Sequence, residues 1–196
     1  MSVSDQCLYE RLPKALPVKR FRQSLQPTAG VSSFTENQQI EFMIPSSRMG
    51  QYLNSENTIL RYRLTGSAGP KADGTASDNR TKFLDHNGSC VINRIEIYHG
   101  SNLIENITNY SVLYSALLDI QIEETNQKNG LTISYGVNST NIGRGFQINN
   151  DSYEVAMPIL SSVVGILSEK FLPVGALSSP IRIVIILNSD ESALVI

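Results

Sequence analysis

Alternating apolar and polar positions predict a chain built mainly of β-strands. Ile40, Phe42 and Ile44 alternate with Gln39, Glu41 and Met43, which is the pattern of a strand with one buried face. Similar alternation, or a β-branched apolar run, recurs at intervals along the chain. The predicted strands cover residues 37–44, 58–65, 91–97, 103–105, 153–159 and 181–187.

One segment combines a tight hairpin with a helix. Gly100 and Ser101 separate two of the predicted strands, and glycine supplies the positive φ that a two-residue turn requires. The apolar spacing then becomes helical, which predicts a short helix over residues 108–119 with Thr108 or Asn109 as its N-cap. Its apolar stripe contains Tyr110, Leu113, Tyr114, Leu117 and Leu118. This stripe either packs on a sheet of the same chain or faces a neighbouring subunit.

The order of these elements favours an all-β fold: an antiparallel jelly-roll sandwich with one short helix near 108–119 and long loops. Residues 181–187 are apolar on both faces, which predicts a central strand covered on both sides. Residues 66–88 are predicted as a long polar loop, and residues 161–170 suit a short helix and a strand equally. We expect an extended arm over 1–33 and a single jelly-roll domain over 34–196, which is either complete or the first of two in a longer chain.

Composition narrows the function classes. A net charge of −2 over 196 residues gives no bulk indication of a polyanionic partner. The two cysteines, Cys7 and Cys90, lie far apart and are predicted to be reduced thiols. No apolar leader or membrane-spanning run is visible in the sequence, so we expect a soluble protein made in the cytosol.

The N-terminal arm carries a local excess of positive charge. Three prolines interrupt it, and apolar side chains are interspersed among its cations. The arm therefore either contacts phosphate or another subunit, or extends into solvent. Its candidate contact residues are Arg11, Lys14, Lys19, Arg20 and Arg22.

The sequence offers no constellation of catalytic residues. Its two histidines, His86 and His99, both lie in turn-like sequence, and the adjacent side chains of Asp85 and His86 are expected to diverge as they would in a strand. Metal-ligand spacings, nucleophile elbows and phosphate-binding loops are absent from the sequence. We therefore predict a protein that is not an enzyme, with no catalytic, cofactor-binding or metal-binding residues.

Several segments, in their order, resemble the first jelly roll of double jelly-roll major capsid proteins. Within that family, the chain most resembles the proteins of polinton-like elements, adintoviruses and virophages, in the lineage of adenovirus hexon. The segments are 44–48 (IPSSR), 60–64 (LRYRL), 83–89 (FLDHNGS), 92–98 (INRIEIY), 103–107 (LIENI), 109–119 (NYSVLYSALLD), 167–177 (LSEKFLPVGAL) and 180–189 (PIRIVIILNS). The resemblance covers about residues 36–190.

The resemblance implies a structural protein of the virion that is made in the host cytoplasm. Such proteins form trimeric capsomers that tile an icosahedral shell around a DNA genome, often over an internal membrane. The expected partners are copies of the chain and other capsid proteins, with the arm as a possible contact to membrane or genome. The chain departs from the family in length, since 196 residues suffice for one roll. That favours a portion of a longer protein over a single-roll relative.

The sequence-based hypothesis is thus a hexon-like capsid protein that self-assembles. Its subunit-contact candidates are the five arm cations together with Tyr110 and Tyr114. The 66–88 loop and the exposed side of the 108–119 helix are expected to contribute to the same contacts. The alternative is a receptor- or carbohydrate-binding β-sandwich, such as a spike head or lectin-like module. A third class, a jelly-roll glycoside hydrolase, would need two carboxylates facing each other across a cleft.

Overall fold

The fold is known from a computed structural model, which describes residues 19–46, 50–65, 82–121, 135–136, 144–148, 152–168, 170–189 and 193–195. These residues form nine strands and one α-helix. In chain order the elements are β1 (Gln39–Ile44), β2 (Ile59–Thr65), β3 (Lys82–Asp85), β4 (Ile92–His99), β5 (Asn102–Ile107), α1 (Tyr110–Gln121), β6 (Arg144–Ile148), β7 (Ser152–Pro158), β8 (Ile181–Leu187) and β9 (Leu194–Val195).

The described strands form three antiparallel sheets. The largest has the order β1-β8-β4-β5, a second consists of β2 and β7, and a third has the order β6-β3-β9. Strand β8 lies between β1 and β4, and Val184, on the face opposite the core residues Ile183 and Ile185, is only 3% exposed. The prediction that residues 181–187 form a central strand is therefore confirmed.

The strand pairs are nested along the chain. The first strand pairs with the eighth, the second with the seventh, the third with the sixth and the fourth with the fifth. The prediction of an antiparallel all-β fold with one helix is confirmed. Nested pairs also occur in a jelly roll, but there β1–β8 and β3–β6 would share a sheet, whereas here β8 pairs with β4. The jelly-roll topology stays a prediction.

The main hydrophobic core joins the four-stranded sheet, the β2–β7 pair and the helix. Strands β4 and β8 supply buried isoleucines, at positions 92, 95 and 97 of β4 and at positions 181, 183 and 185 of β8. Strand β7 faces them with Val155 and Met157, and α1 adds two tyrosines. A second, smaller cluster contains Leu84, Cys90 and Ala193.

The hairpin and helix follow the sequence prediction closely. Gly100 adopts a φ of +60° at the turn between β4 and β5. The helix begins at Tyr110, and the Asn109 carbonyl accepts a hydrogen bond from the Leu113 N–H at 3.2 Å. Asn109 itself has a φ of +51°, in the left-handed region that asparagine tolerates better than most residues.

Two sequence predictions need correction. The predicted loop over 66–88 contains strand β3. A 3₁₀ turn over Gly88–Val91 begins at the last residue of that loop, because the Asn87 side chain accepts a hydrogen bond from the Ser89 N–H and starts that turn. Residues 161–168 form turns rather than a helix or a strand, since serine side chains bond to the backbone there. Positions 66–81 of the predicted loop lie outside the described residues.

Candidate interaction surfaces

The inner face of the helix belongs to the core of the chain. Tyr110 and Tyr114 are 0% and 3% exposed, and their rings lie 5.7 Å apart. The Tyr110 hydroxyl accepts a hydrogen bond from the backbone N–H of Leu160 at 2.9 Å, and burial raises the pKa of both tyrosines. The assignment of these two residues as subunit contacts is therefore corrected, because their side chains are already enclosed within one chain.

The outer face of the same helix is also apolar. Val112 is 69% exposed and Ile120 is 81% exposed, and both Leu113 and Ala116 face solvent beside them. Asp119 is the single charged residue between Tyr110 and Gln121. A surface helix normally carries polar residues opposite its core face, so this second apolar stripe is unusual. We call Val112, Leu113, Ala116, Asp119 and Ile120 the outer stripe.

Strand β5 forms an edge of the large sheet and exposes apolar side chains. Among the described strands it pairs only with β4, and Leu103 and Ile104 are each half exposed. An edge strand with exposed apolar residues can accept another strand through its free backbone groups. Soluble monomers usually protect such an edge with charge, proline or a bulge. Here the β4–β5 register shifts between Leu103 and Glu105, so Ile104 forms a bulge in β5.

A carboxylate on β5 holds the loop that follows β7. Glu105 accepts hydrogen bonds from the Ser161 hydroxyl at 2.5 Å and from the Ser162 N–H and hydroxyl at 3.0 and 2.8 Å. The Ser161 oxygen also accepts from the N–H groups of Val163 and Val164, each at 3.1 Å. These hydrogen bonds hold the loop beside β5.

This loop adds further exposed apolar side chains to the same region of the molecule. Ile166, Leu167 and Phe171 are each at least a third exposed. The loop is tied to β5 through Glu105 and to the first turn of α1 through Tyr110. The edge strand, the helix and the loop therefore present their apolar residues from one connected substructure.

Charged side chains lie on the outer faces of the β2–β7 pair and of the large sheet. Glu154 on β7 accepts hydrogen bonds from Arg61 at 2.6 Å and Arg63 at 2.9 Å, and these guanidinium groups lower its pKa to about 2. On the large sheet, the guanidinium carbon of Arg182 lies 4.5 Å from the ring centre of Tyr98. Ion pairs across exposed faces of this kind contribute little stability but keep those faces hydrated.

The arm is described only from residue 19. Lys19, Arg20 and Arg22 are exposed, and Arg11 and Lys14 lie outside the described residues. The Thr28 N–H donates to the carbonyl of Glu41 at 2.7 Å, which brings this part of the arm against strand β1. The three described cations are accessible, and whether they contact a partner stays a prediction.

The described histidine, acidic and cysteine residues include one acid–imidazole pair and one buried free thiol. The Asp85 carboxylate and His86 Nδ1 lie 2.7 Å apart because His86 has a φ of +62° and leaves the strand, so the prediction that they diverge was wrong. Both side chains are nearly half exposed. Cys90 carries a free thiol whose pKa burial raises to about 12. Within the described ranges no three His, Cys, Asp or Glu residues are grouped to hold a metal.

Comparisons with known proteins leave the chain without an assigned family. No protein-family model matches it, and no curated protein matches it either. None of the helices in the described part of the chain is long and apolar enough to cross a membrane.

Sequence reasoning could have found the outer stripe but not the hydrogen bonds that Glu105 accepts from Ser161 and Ser162. Residues 112, 113, 116, 119 and 120 fall on one side of a helical projection, a pattern that the Tyr110–Tyr114 stripe obscured. Glu105 and Ser161 are 56 positions apart, and no local pattern links an edge-strand carboxylate to a serine in a distant loop.

Proposed function

We propose that the protein is a hexon-like viral capsid protein whose function is to assemble with copies of itself. The observations that carry the proposal are the exposed apolar side chains of α1, of β5 and of residues 166, 167 and 171. Large exposed apolar patches on a β-sandwich mark sites of protein association. The nested strand pairs are a second line of support, because the same nesting underlies the jelly rolls of capsid subunits.

The mechanism would be the burial of this apolar surface between subunits. Obligate interfaces commonly bury about 2,000 Å² or more and are more hydrophobic than ordinary surfaces. The polar sheet faces, with the Arg61–Glu154–Arg63 ion group, would remain at the solvent-facing side of the assembly. Repetition of heterologous contacts then generates a closed shell if the rotation between subunits closes. No bond is made or broken in this function.

The test is the concentration dependence of the assembly state of the purified chain. We expect oligomers by light scattering and ring-shaped or pseudo-hexagonal particles by negative-stain electron microscopy. Leu103→Asp/Ile104→Asp, which places charge on the β5 edge, should shift the distribution towards monomers while leaving the circular dichroism spectrum unchanged. Arg61→Gln/Arg63→Gln, on a polar sheet face, is the matched control and should assemble as the parent does.

The binding-module alternative predicts a different result in the same experiment. It would give a monomer or small oligomer at every concentration, together with binding on a glycan array. No contact among the described residues favours it over self-assembly.

A further inference from the structure

The outer stripe of α1 has an internal symmetry that points to its occupant. Its residues are arranged evenly about Ala116, with Val112 and Ile120 four positions to either side and Leu113 and Asp119 three positions to either side. Ala116 is the smallest side chain of the stripe and lies at its centre. A helix that crosses an antiparallel copy of itself at this alanine would place Val112 of each copy opposite Ile120 of the other.

Charge at the two helix ends supports the same pairing. The last turn contains Asp119 and no basic residue, so this carboxylate lies at the negative end of its own helix dipole, where it is disfavoured. The first turn contains no acidic residue to complement its free N–H groups. In an antiparallel pair the Asp119 carboxylate of each copy approaches the first turn of the other helix. Its negative charge then lies near the positive end of the partner's helix dipole and complements the free N–H groups there.

We propose that α1 forms a two-fold contact with α1 of a second copy, centred on Ala116 and covering the outer stripe. The inference rests on the proposed self-assembly and specifies one of its interfaces. It is an isologous contact, so it closes after two subunits, and other surfaces must extend the assembly further. The β5 edge and the 161–171 loop remain available for those other contacts.

Disulfide cross-linking tests the geometry directly. Helix axes about 8–10 Å apart, each with Cα atoms at a radius of about 2.3 Å, bring the two facing residue-116 Cα atoms to about 3.4–5.4 Å. A disulfide needs about 4.4–6.8 Å, so Ala116→Cys should cross-link to itself under mild oxidation. The background is Cys7→Ser, with Cys90 retained because its thiol is buried.

Matched cysteines define the register. Two copies of Val112 would lie about 12 Å apart along the axis, so Val112→Cys alone should not cross-link, whereas Val112→Cys/Ile120→Cys should. Ser101→Cys, in the exposed hairpin turn, measures the rate of random collision. We expect cross-linking of Ala116→Cys to be about tenfold faster than this control or more, and equal rates would overturn the helix contact.

A charge reversal separates association from folding. Asp119→Lys removes the unfavourable charge from the end of its own helix, so the melting temperature of the dissociated monomer, measured at low protein concentration, should not fall. The same lysine would face the partner's first turn, so the dissociation constant of the two-fold dimer should rise about fivefold or more. An unchanged dissociation constant would contradict the antiparallel pairing.

The two proposals can fail separately. Particles by electron microscopy combined with collision-rate cross-linking at residue 116 would retain self-assembly and reject the helix contact. Rapid cross-linking at residue 116 without any species larger than a dimer would retain the helix contact and reject the shell-forming function.

Discussion

Replacing Tyr110 by Phe isolates one buried hydrogen bond between the helix and the loop after β7. The substitution keeps the ring and removes only the oxygen that accepts from the Leu160 N–H at 2.9 Å. Both residues are almost completely buried, so water cannot replace the lost acceptor. An orphaned buried amide costs about 1–3 kcal/mol of the free energy of unfolding.

This loss is measurable in both chemical and thermal denaturation. For a chain of this size, about 1–3 kcal/mol corresponds to a melting temperature lowered by about 2–12 °C. The slope of the free energy of unfolding against denaturant concentration should not change, because the surface exposed on unfolding hardly changes. Tyr52→Phe is the control: Tyr52 is 51% exposed, and we expect its stability to stay within about 0.5 kcal/mol of the parent.

A stability of Tyr110→Phe within the error of Tyr52→Phe would refute the reasoning. It would mean that the Leu160 N–H finds another acceptor, or that the helix and loop are not joined through this hydroxyl. The connected substructure behind the candidate surface would then lose one of its two ties.

The remaining predictions concern titration and the 159–165 turn. Burial raises the pKa values of Tyr62, Tyr110 and Tyr114 above their ordinary 10.0, so the folded state keeps these protons when the unfolded state loses them. Stability should therefore be complete below pH 10 and fall above it by about 1.4 kcal/mol per pH unit for each of these tyrosines, and these three residues should form tyrosinate only as circular dichroism is lost. Glu154 has a pKa lowered from 4.5 to about 2, so its ionised carboxylate stabilises the folded state above pH 4.5, and this stabilisation is lost towards pH 2. Carboxyl NMR titration should show the lowered pKa, and Arg61→Gln/Arg63→Gln should return that pKa towards 4.5. Gly165→Ala should destabilise the protein by about 3 kcal/mol or more in denaturant titration, since the new Cβ would lie 2.0 Å from the Ile159 carbonyl oxygen and 2.6 Å from the Ser161 nitrogen, both backbone atoms. A Gly165→Ala protein as stable as the parent would contradict the described turn.

The sequence predicts the long strands and the helix well because their patterns are local and strong. Strands β1, β2, β4, β7 and β8 each carry a period-two or β-branched run, and each occurs where that run lies. The hairpin turn follows from the conformational freedom of Gly100. These features depend on neighbours within a few residues.

The short strands and the burial of the two helix tyrosines escape the same reasoning for physical reasons. Strand β3 spans only Lys82–Asp85, and strand β6 only Arg144–Ile148, so neither is long enough to establish a period. The direction of Tyr110 and Tyr114 is set by Leu160 and the β4–β8 core, which are distant in sequence. The helix is apolar on two faces, and only the packed structure distinguishes the one that is buried.

The most direct test of the central claim is electron microscopy of the purified chain over a series of concentrations. Self-assembly through the apolar surface predicts defined rings, pseudo-hexagonal capsomers or shells that become more abundant with concentration. Their loss in Leu103→Asp/Ile104→Asp and persistence in Arg61→Gln/Arg63→Gln would assign the contact to that surface. A folded protein that remains strictly monomeric at the highest concentration would contradict the account.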